Sequence, residues 1–275
     1  MTNPAQPGSR VALAGFGTVG QMLAKRLVAG VIPELRLTAI SARDLAKATE
    51  NSAGLSPRPL VVPVSQLPDH ADIVVECATG DALPEIARAV LTAGKTLVPV
   101  SVGAIARHPE IIDLARRHGG RIRIPSGTMV GMDALRGAAE GDIRAVRLRS
   151  RIRPDSLARE QYILEQVHDF STPPAQAIQV FSGTAAGAAA AFPKHFNVAV
   201  TLSLAGIGMD RTTVEVWADP DIPGAIHQVD VESAEITFTS ISRNLPSENP
   251  RTSRIVGPSI LAALRALVSP IQVGS

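Results

Sequence analysis

The stretch AGFGTVG, Ala14 to Gly20, follows the apolar run VALA and precedes a segment whose apolar residues repeat at helical spacing. Glycines in the order G-x-G-x-x-G between a strand and a helix restrict what the backbone can do there. Gly15 permits a tight turn, Gly17 lets backbone approach a pyrophosphate, and Gly20 lets the helix pack close to the strand. The free N–H groups of the helix start, at Thr18 and Val19, then face the phosphates. Glycine-rich loops without a ligand carry the same spacing, so the surrounding sequence has to decide between the two.

From Arg10 to about Pro125, short β-rich runs alternate with helical segments. RVALAGF is followed by a helix from Val19 to Ala29, then LRLTAIS, ADIVVECA, helical PEIARAVLTAG, KTLVPVS, helical PEIIDLARRHG and RIRIPS. Such alternation predicts crossover units and an α/β fold, a Rossmann-type doubly wound parallel sheet. The second strand of such a fold ends in an acid that grips the ribose hydroxyls of NAD, but here the chain reads ISARD. Ser41 and Arg43 occupy the place where a 2′-phosphate would lie, which favours NADP with NAD still allowed. Asp44 can cap the next helix or reach a ribose, and Arg43 can equally be a solvated residue at a helix start.

Beyond Pro125 the texture changes. IRAVRLRSRI, TTVEVWAD and HQVDVESAEITFTSI alternate like half-buried antiparallel strands, with one long small-residue helix, Thr184 to Ala191 and then Asn197 to Ala205, expected between them. A closing helix is expected at about Pro258–Val268, packed back on the first domain. The division expected is therefore a dinucleotide-binding domain over 1–125, joined by a C-terminal helix within 250–275, and an α+β substrate and dimerisation domain over 126–249.

Composition narrows the partners. There are 27 Lys and Arg against 25 Asp and Glu, a net charge of +2, and aromatics are only 3%. Neither a phosphate-tracking basic stripe nor a base-stacking platform is visible, so nucleic acid is not an expected partner. No apolar run is long enough to span a bilayer, so no membrane partner is expected either, and the polar start MTNPAQPGSR lacks the order of a secretory signal. The single cysteine, Cys77, sits in an apolar run and reads as a buried, inert thiol, which suits a reducing cytoplasm. The six histidines are dispersed without metal-ligand spacing, and no G-x-S-x-G nucleophile turn occurs.

Five ordered blocks, VVECATGDA, LVPVSVGAIA, PSGTMVGMDAL, FPKHFNVAVTLSLAGIGMDRTTVEVWADP and NPRTSRIVGPSILAALRAL, resemble the L-aspartate dehydrogenase family over nearly the whole chain. The resemblance implies a Rossmann domain, a mixed-sheet domain that supplies the substrate pocket, and a homodimer. It also implies NAD(P)-dependent hydride transfer between L-aspartate and iminosuccinate, which water converts to oxaloacetate and ammonia. The family's catalytic histidine falls on His227, its nicotinamide-contacting asparagine on Asn197, and a further cofactor contact on Thr128, where the family usually has alanine.

Other departures fall in the substrate region: His195 stands where a second asparagine is frequent, GTAAGAAAA lacks an acid, and RSRIRPDSL alters a basic-proline motif. Arginine suits the carboxylates of a dicarboxylic substrate. Lys194, His195 and Arg211 are the substrate candidates, with Arg151 and Arg153 also in reach of the same blocks, though each can be an ordinary surface charge. Histidine suits proton transfer because its unperturbed pKa of about 6.5 lies near working pH. Two alternatives remain: a dehydrogenase or imine reductase of the same fold acting on another amino or keto acid, and a non-catalytic nucleotide-binding sensor. Physiological direction, supply of iminosuccinate for nicotinamide-cofactor synthesis against aspartate breakdown, is left open.

Overall fold

A computed structural model describes residues 8–166, 170, 172–193, 196–245 and 253–274. They divide into two compact units, one running to Pro125 and including Ile260–Ile271, the other running from Ser126 to Ser259 and resuming at Gln272.

The first unit holds six strands: β1 (Ser9–Ala14), β2 (Leu35–Ser41), β3 (Leu60–Val61), β4 (Ile73–Glu76), β5 (Thr96–Pro99) and β6 (Arg121–Ile122). All neighbours pair in parallel, in the order β3-β2-β1-β4-β5-β6. This is the doubly wound order. The chain fills one side of β1 first, then crosses back to lay β4 on the other, leaving a crevice at the carboxyl ends of β1 and β4. Val11–Ala14 and all of β4 are buried, as covered parallel strands must be.

Helix α1 (Thr18–Val28) buries Gly20, Leu23, Ala24 and Leu27, one stripe at helical spacing. Helix α2 (Leu45–Asn51) is the helix expected after Asp44, whereas the short β3 was not marked by the sequence pattern. The helix Glu110–His118 carries Glu110 and Asp113 in its first turn and Arg116, Arg117 and His118 in its last, with left-handed Gly119 ending it. At the amino ends of the central strands, Asp72 receives Arg10 (2.9 Å) and Lys95 (3.1 Å), and these cations hold its carboxyl well below the usual range.

The second unit is built on β7 (Ile143–Ile152), β8 (Ile178–Thr184), β9 (Thr212–Ala218), β10 (Ile226–Ser233) and β11 (Thr237–Arg243), in the order β11-β10-β7-β9-β8. The antiparallel expectation holds for β10 with β7, β10 with β11 and β8 with β9, but not throughout, because β7 and β9 run parallel. Alternating burial cannot distinguish the two arrangements, since period 2 is common to both. The inward phase of the sheet, including Val146, Leu148, Val216 and Val229, joins Phe192, Phe196 and Leu202 from the helical side in one core. The outward phase carries the ion pairs Arg147–Glu232, Arg149–Glu215 and Arg151–Asp219.

The one long small-residue helix expected is instead two, Ala185–Ala191 and Asn197–Ala205, because the chain leaves helical geometry at Phe192, which caps the first. A helix at Met132–Ala139 and strand β8 were not anticipated. The closing helix spans Val256–Ala266, two residues earlier than its sequence pattern indicated, and Arg265 Nη2 donates to the Val31 carbonyl at 2.7 Å. No described helix is long and apolar enough to cross a membrane.

Candidate active site

The turn after β1 is set by backbone crowding. Gly15 has φ of +112°, and a Cβ there would lie 2.5 Å from the Cys77 carbonyl carbon and 2.6 Å from the Ala78 nitrogen. A Cβ on Gly20 would lie 2.3 Å from the Gly15 oxygen. Both contacts are with backbone, so neither can be relieved by turning a side chain. Gly17 is different: it has an ordinary φ of −79°, is exposed, and a Cβ there would meet nothing within 4 Å. Gly17 opens α1 without a side-chain cap, and no acid stands in the first turn. The first N–H groups of α1, at Thr18 and Val19, thus have no side-chain acceptor, and this bare start suits the phosphates of a dinucleotide.

Ser41, the last residue of β2, closes the same end of the sheet. Its carbonyl accepts from Gly15 N at 2.7 Å, while its Oγ is enclosed with no partner among the described residues. Arg43 is exposed beyond it. Asp44 takes the capping role of the two open to it, accepting from Lys47 N at 2.9 Å at the start of α2.

Across the crevice, β4 ends in Glu76, a fully buried carboxylate. Its two oxygens accept from Ala78 N (2.8 Å), Val100 N (3.1 Å), Ser101 N (2.8 Å) and Ser101 Oγ (3.0 Å). Burial pushes its pKa up, against the pull of those four donors. Glu76 therefore fixes the Cys77–Ala78 segment that Gly15 packs against, and ties it to the start of the next loop. Cys77 is half-buried, and desolvation with the neighbouring Glu76 charge pushes its thiol well above the usual range, leaving it inert.

In the second unit His227 lies on β10 in the inward phase, 7% exposed, between Ser150 on β7 and Ser242 on β11 at the same register position. Its Nδ1 is 3.0 Å from Ser150 Oγ. Burial lowers its pKa to about 4, so the imidazole is neutral at physiological pH. A neutral ring, with Nδ1 held by Ser150, can accept a proton at Nε2. Ser150 and Ser242 escaped the sequence reading. The signal was present in the run Val146, Leu148, Ser150, Ile152, where one hydroxyl interrupts the inward apolar phase.

The remaining candidates lie on separate elements. Thr128 follows left-handed Gly127 in the loop after Pro125, its Oγ1 enclosed with no partner among the described residues. Asn197 is exposed at the first position of the helix Asn197–Ala205. Arg211 is not brought to His227. It precedes β9 at the end where Thr212 pairs with Val146, whereas His227 is level with Ser150 and Val216, about 16 Å further along. Its Nη2 is committed to the Ile143 carbonyl at 3.0 Å. Arg151 pairs with Asp219 and Arg153 with Asp155. Lys194 and His195 lie outside the described residues. No group of three or more described His, Cys, Asp or Glu could hold a metal ion.

A family model described as the C-terminal domain of aspartate dehydrogenase matches residues 133–267, and one described as the NAD binding domain of homoserine dehydrogenase matches residues 15–125. L-aspartate dehydrogenase 3 of Bordetella bronchiseptica is 42% identical over 96% of this chain and 97% of its own. The L-aspartate dehydrogenase of Bradyrhizobium diazoefficiens is 41% identical over 97% of this chain and 94% of its own. Among solved structures, aspartate dehydrogenase from Thermotoga maritima superposes with a TM-score of 0.74 at 24% identity, covering 97% of this chain and 99% of that one, a likeness of fold. With full-length relatives above 40% identity and a dinucleotide turn at the switch point of the sheet, this chain belongs to the L-aspartate dehydrogenase family.

Proposed function

We propose that the protein is an NAD(P)-dependent L-aspartate dehydrogenase in which His227 moves the proton. The observation that carries the reading is the buried, neutral imidazole of His227, held at Nδ1 in a chain that also has the dinucleotide turn. Bound at Gly15, Gly17, Thr18, Val19 and Gly20, the nicotinamide dinucleotide would supply the hydride acceptor. The Cα–H bond of aspartate gives up its hydrogen with both electrons, the amine loses a proton to His227 Nε2, and the C=N bond of iminosuccinate forms. Water then releases oxaloacetate and ammonia. In the reductive direction the same imidazole returns the proton. Thr128 and Asn197 are assigned to the cofactor on the family resemblance.

Several finer assignments rest on narrower observations. The enclosed, unpartnered Ser41 Oγ and the exposed Arg43 at the end of β2 favour NADP over NAD. Lys194 and His195 are the candidates for the substrate's carboxylates, since Arg211 is tied to backbone away from His227. The outward face of the second sheet, with Trp217 between its ion pairs, is proposed as the contact surface of a homodimer. A lone cysteine with a suppressed thiol suits a cytoplasmic enzyme.

The test follows absorbance of the reduced nicotinamide as purified protein meets L-aspartate, or oxaloacetate with ammonia, with NAD and NADP supplied separately. Turnover with aspartate, faster with NADP, is the expected result. His227→Ala should lower kcat by about 10² or more and leave cofactor affinity nearly unchanged. Turnover on a different amino acid, with none on aspartate, would overturn the substrate assignment.

A further inference from the structure

His227 does not stand alone on its sheet. Ser150, His227 and Ser242 form one row across β7, β10 and β11, all in the inward phase. The two serines flank the imidazole but differ in one respect. Ser150 Oγ lies 3.0 Å from Nδ1, whereas the enclosed Ser242 Oγ has no partner among the described residues.

We propose that Ser150 is a positioning residue: its Oγ accepts from Nδ1–H of His227 and so presents Nε2 as the nitrogen that exchanges the substrate proton. This rests on the assignment of His227 as the acid/base. Neutral imidazole carries its proton on one nitrogen; a hydroxyl can accept from Nδ1–H or donate to bare Nδ1, and only the first arrangement leaves Nε2 bare to take the substrate proton. A hydroxyl suits the task in both protonation states, because Nδ1–H donates to it whether Nε2 is bare or protonated. Unlike a carboxylate, a hydroxyl adds no charge that would trap the imidazolium. The ring is therefore oriented without being made a permanent cation. Ser242, directly opposite on the other flanking strand, supplies an internal control with the same chemistry and register but without the bond.

The test compares Ser150→Ala, Ser150→Thr and Ser242→Ala in the full chain, with L-aspartate as substrate, and reads the His227 tautomer by NMR of protein labelled with ¹⁵N-histidine. Wild type should show Nδ1–H. Ser150→Ala should lower kcat about tenfold, a share of the roughly 10²–10⁴ that positioned acid/base catalysis supplies. KM and cofactor affinity should stay within about twofold, and the ring should become a mixture of tautomers. Ser150→Thr should recover most of kcat and the Nδ1–H form, while Ser242→Ala stays near wild type. Wild-type kcat and tautomer in Ser150→Ala would overturn the proposal, as would an equal loss in Ser242→Ala, which would indicate packing rather than the bond. If His227→Ala retains turnover, it is the acid/base assignment that fails. If His227→Ala is inactive and Ser150→Ala is not, only the positioning role fails.

Discussion

The turn after β1 and the serine–histidine row on β10 are made from different materials. The turn is a backbone device: Gly15 and Gly20 are fixed by main-chain atoms 2.3–2.6 Å from where a Cβ would sit, and Glu76 anchors the opposing segment through three backbone N–H groups and one hydroxyl. The row is a side-chain device, in which Ser150 and His227 meet although they are 77 positions apart. At Gly15 and Gly20 the backbone device tolerates no added atom. A side-chain device tolerates conservative exchange but titrates.

The largest effect that separates them is Gly20→Ala. Its methyl would meet the Gly15 carbonyl at 2.3 Å, and relieving that contact requires α1 to move away from β1. A loss of about 3 kcal/mol or more is expected in urea unfolding, the upper range for overpacking a rigid site. Stability within about 1 kcal/mol of wild type would mean that the turn is not fixed by its backbone. Ser150→Ala, by contrast, should cost only about 1 kcal/mol, for one lost bond to a buried ring.

Acid sharpens the contrast from the other side. Burial holds the folded pKa of His227 to about 4, against 6.5 for a free histidine. The unfolded chain therefore binds more protons between those values, so the group's contribution is intact above pH 6.5 and is lost as pH falls toward 4. The shift corresponds to about 3 kcal/mol. Urea unfolding at pH 7.5 and 4.5 should show wild type losing more stability than His227→Asn, which has no proton to take up. Identical losses would contradict a buried neutral ring.

This difference in material also decided what was legible in the sequence. The turn could be read because glycine spacing records backbone constraint directly, and the strand–helix alternation around it gave the doubly wound sheet. Short elements such as Leu60–Val61 escaped because two residues carry no period. The parallel pairing of β7 with β9 escaped for another reason: inward Val146, Leu148 and Val214, Val216 alternate alike in either direction. Ser150 and Ser242 became meaningful only through register, which places them beside His227. Glu76 was visible as an acid in an apolar strand, but its four donors come from two loops that the sequence does not connect.

Glu76→Gln tests whether that anchor is as rigid as the glycines. An amide presents N–H groups to backbone donors where the carboxylate accepted from both sides, so at least one bond is lost and one donor is left buried. About 2 kcal/mol of destabilisation is expected, with weaker cofactor binding because the Cys77–Ala78 segment loosens against Gly15. Urea unfolding and cofactor titration on the same sample check both. Unchanged cofactor affinity in a destabilised protein would confine Glu76 to the fold.

The smallest effect on the folded chain, Gly17→Ala, is the most discriminating. Gly17 shares a turn with Gly15 and Gly20 but none of their crowding: its φ of −79° suits any L-residue and its Cβ position is open. Alanine should leave stability unchanged or raise it by up to about 1 kcal/mol, since it restricts the unfolded chain at a compatible position. The open space is where a pyrophosphate would approach, so the same methyl should weaken NADP binding about tenfold, roughly 1.4 kcal/mol. Thermal unfolding without cofactor and fluorescence titration with NADPH separate the two effects. A protein of normal stability that still binds NADPH with full affinity would show that the space above Gly17 is not where the phosphates lie, and the turn would then be a structural device alone.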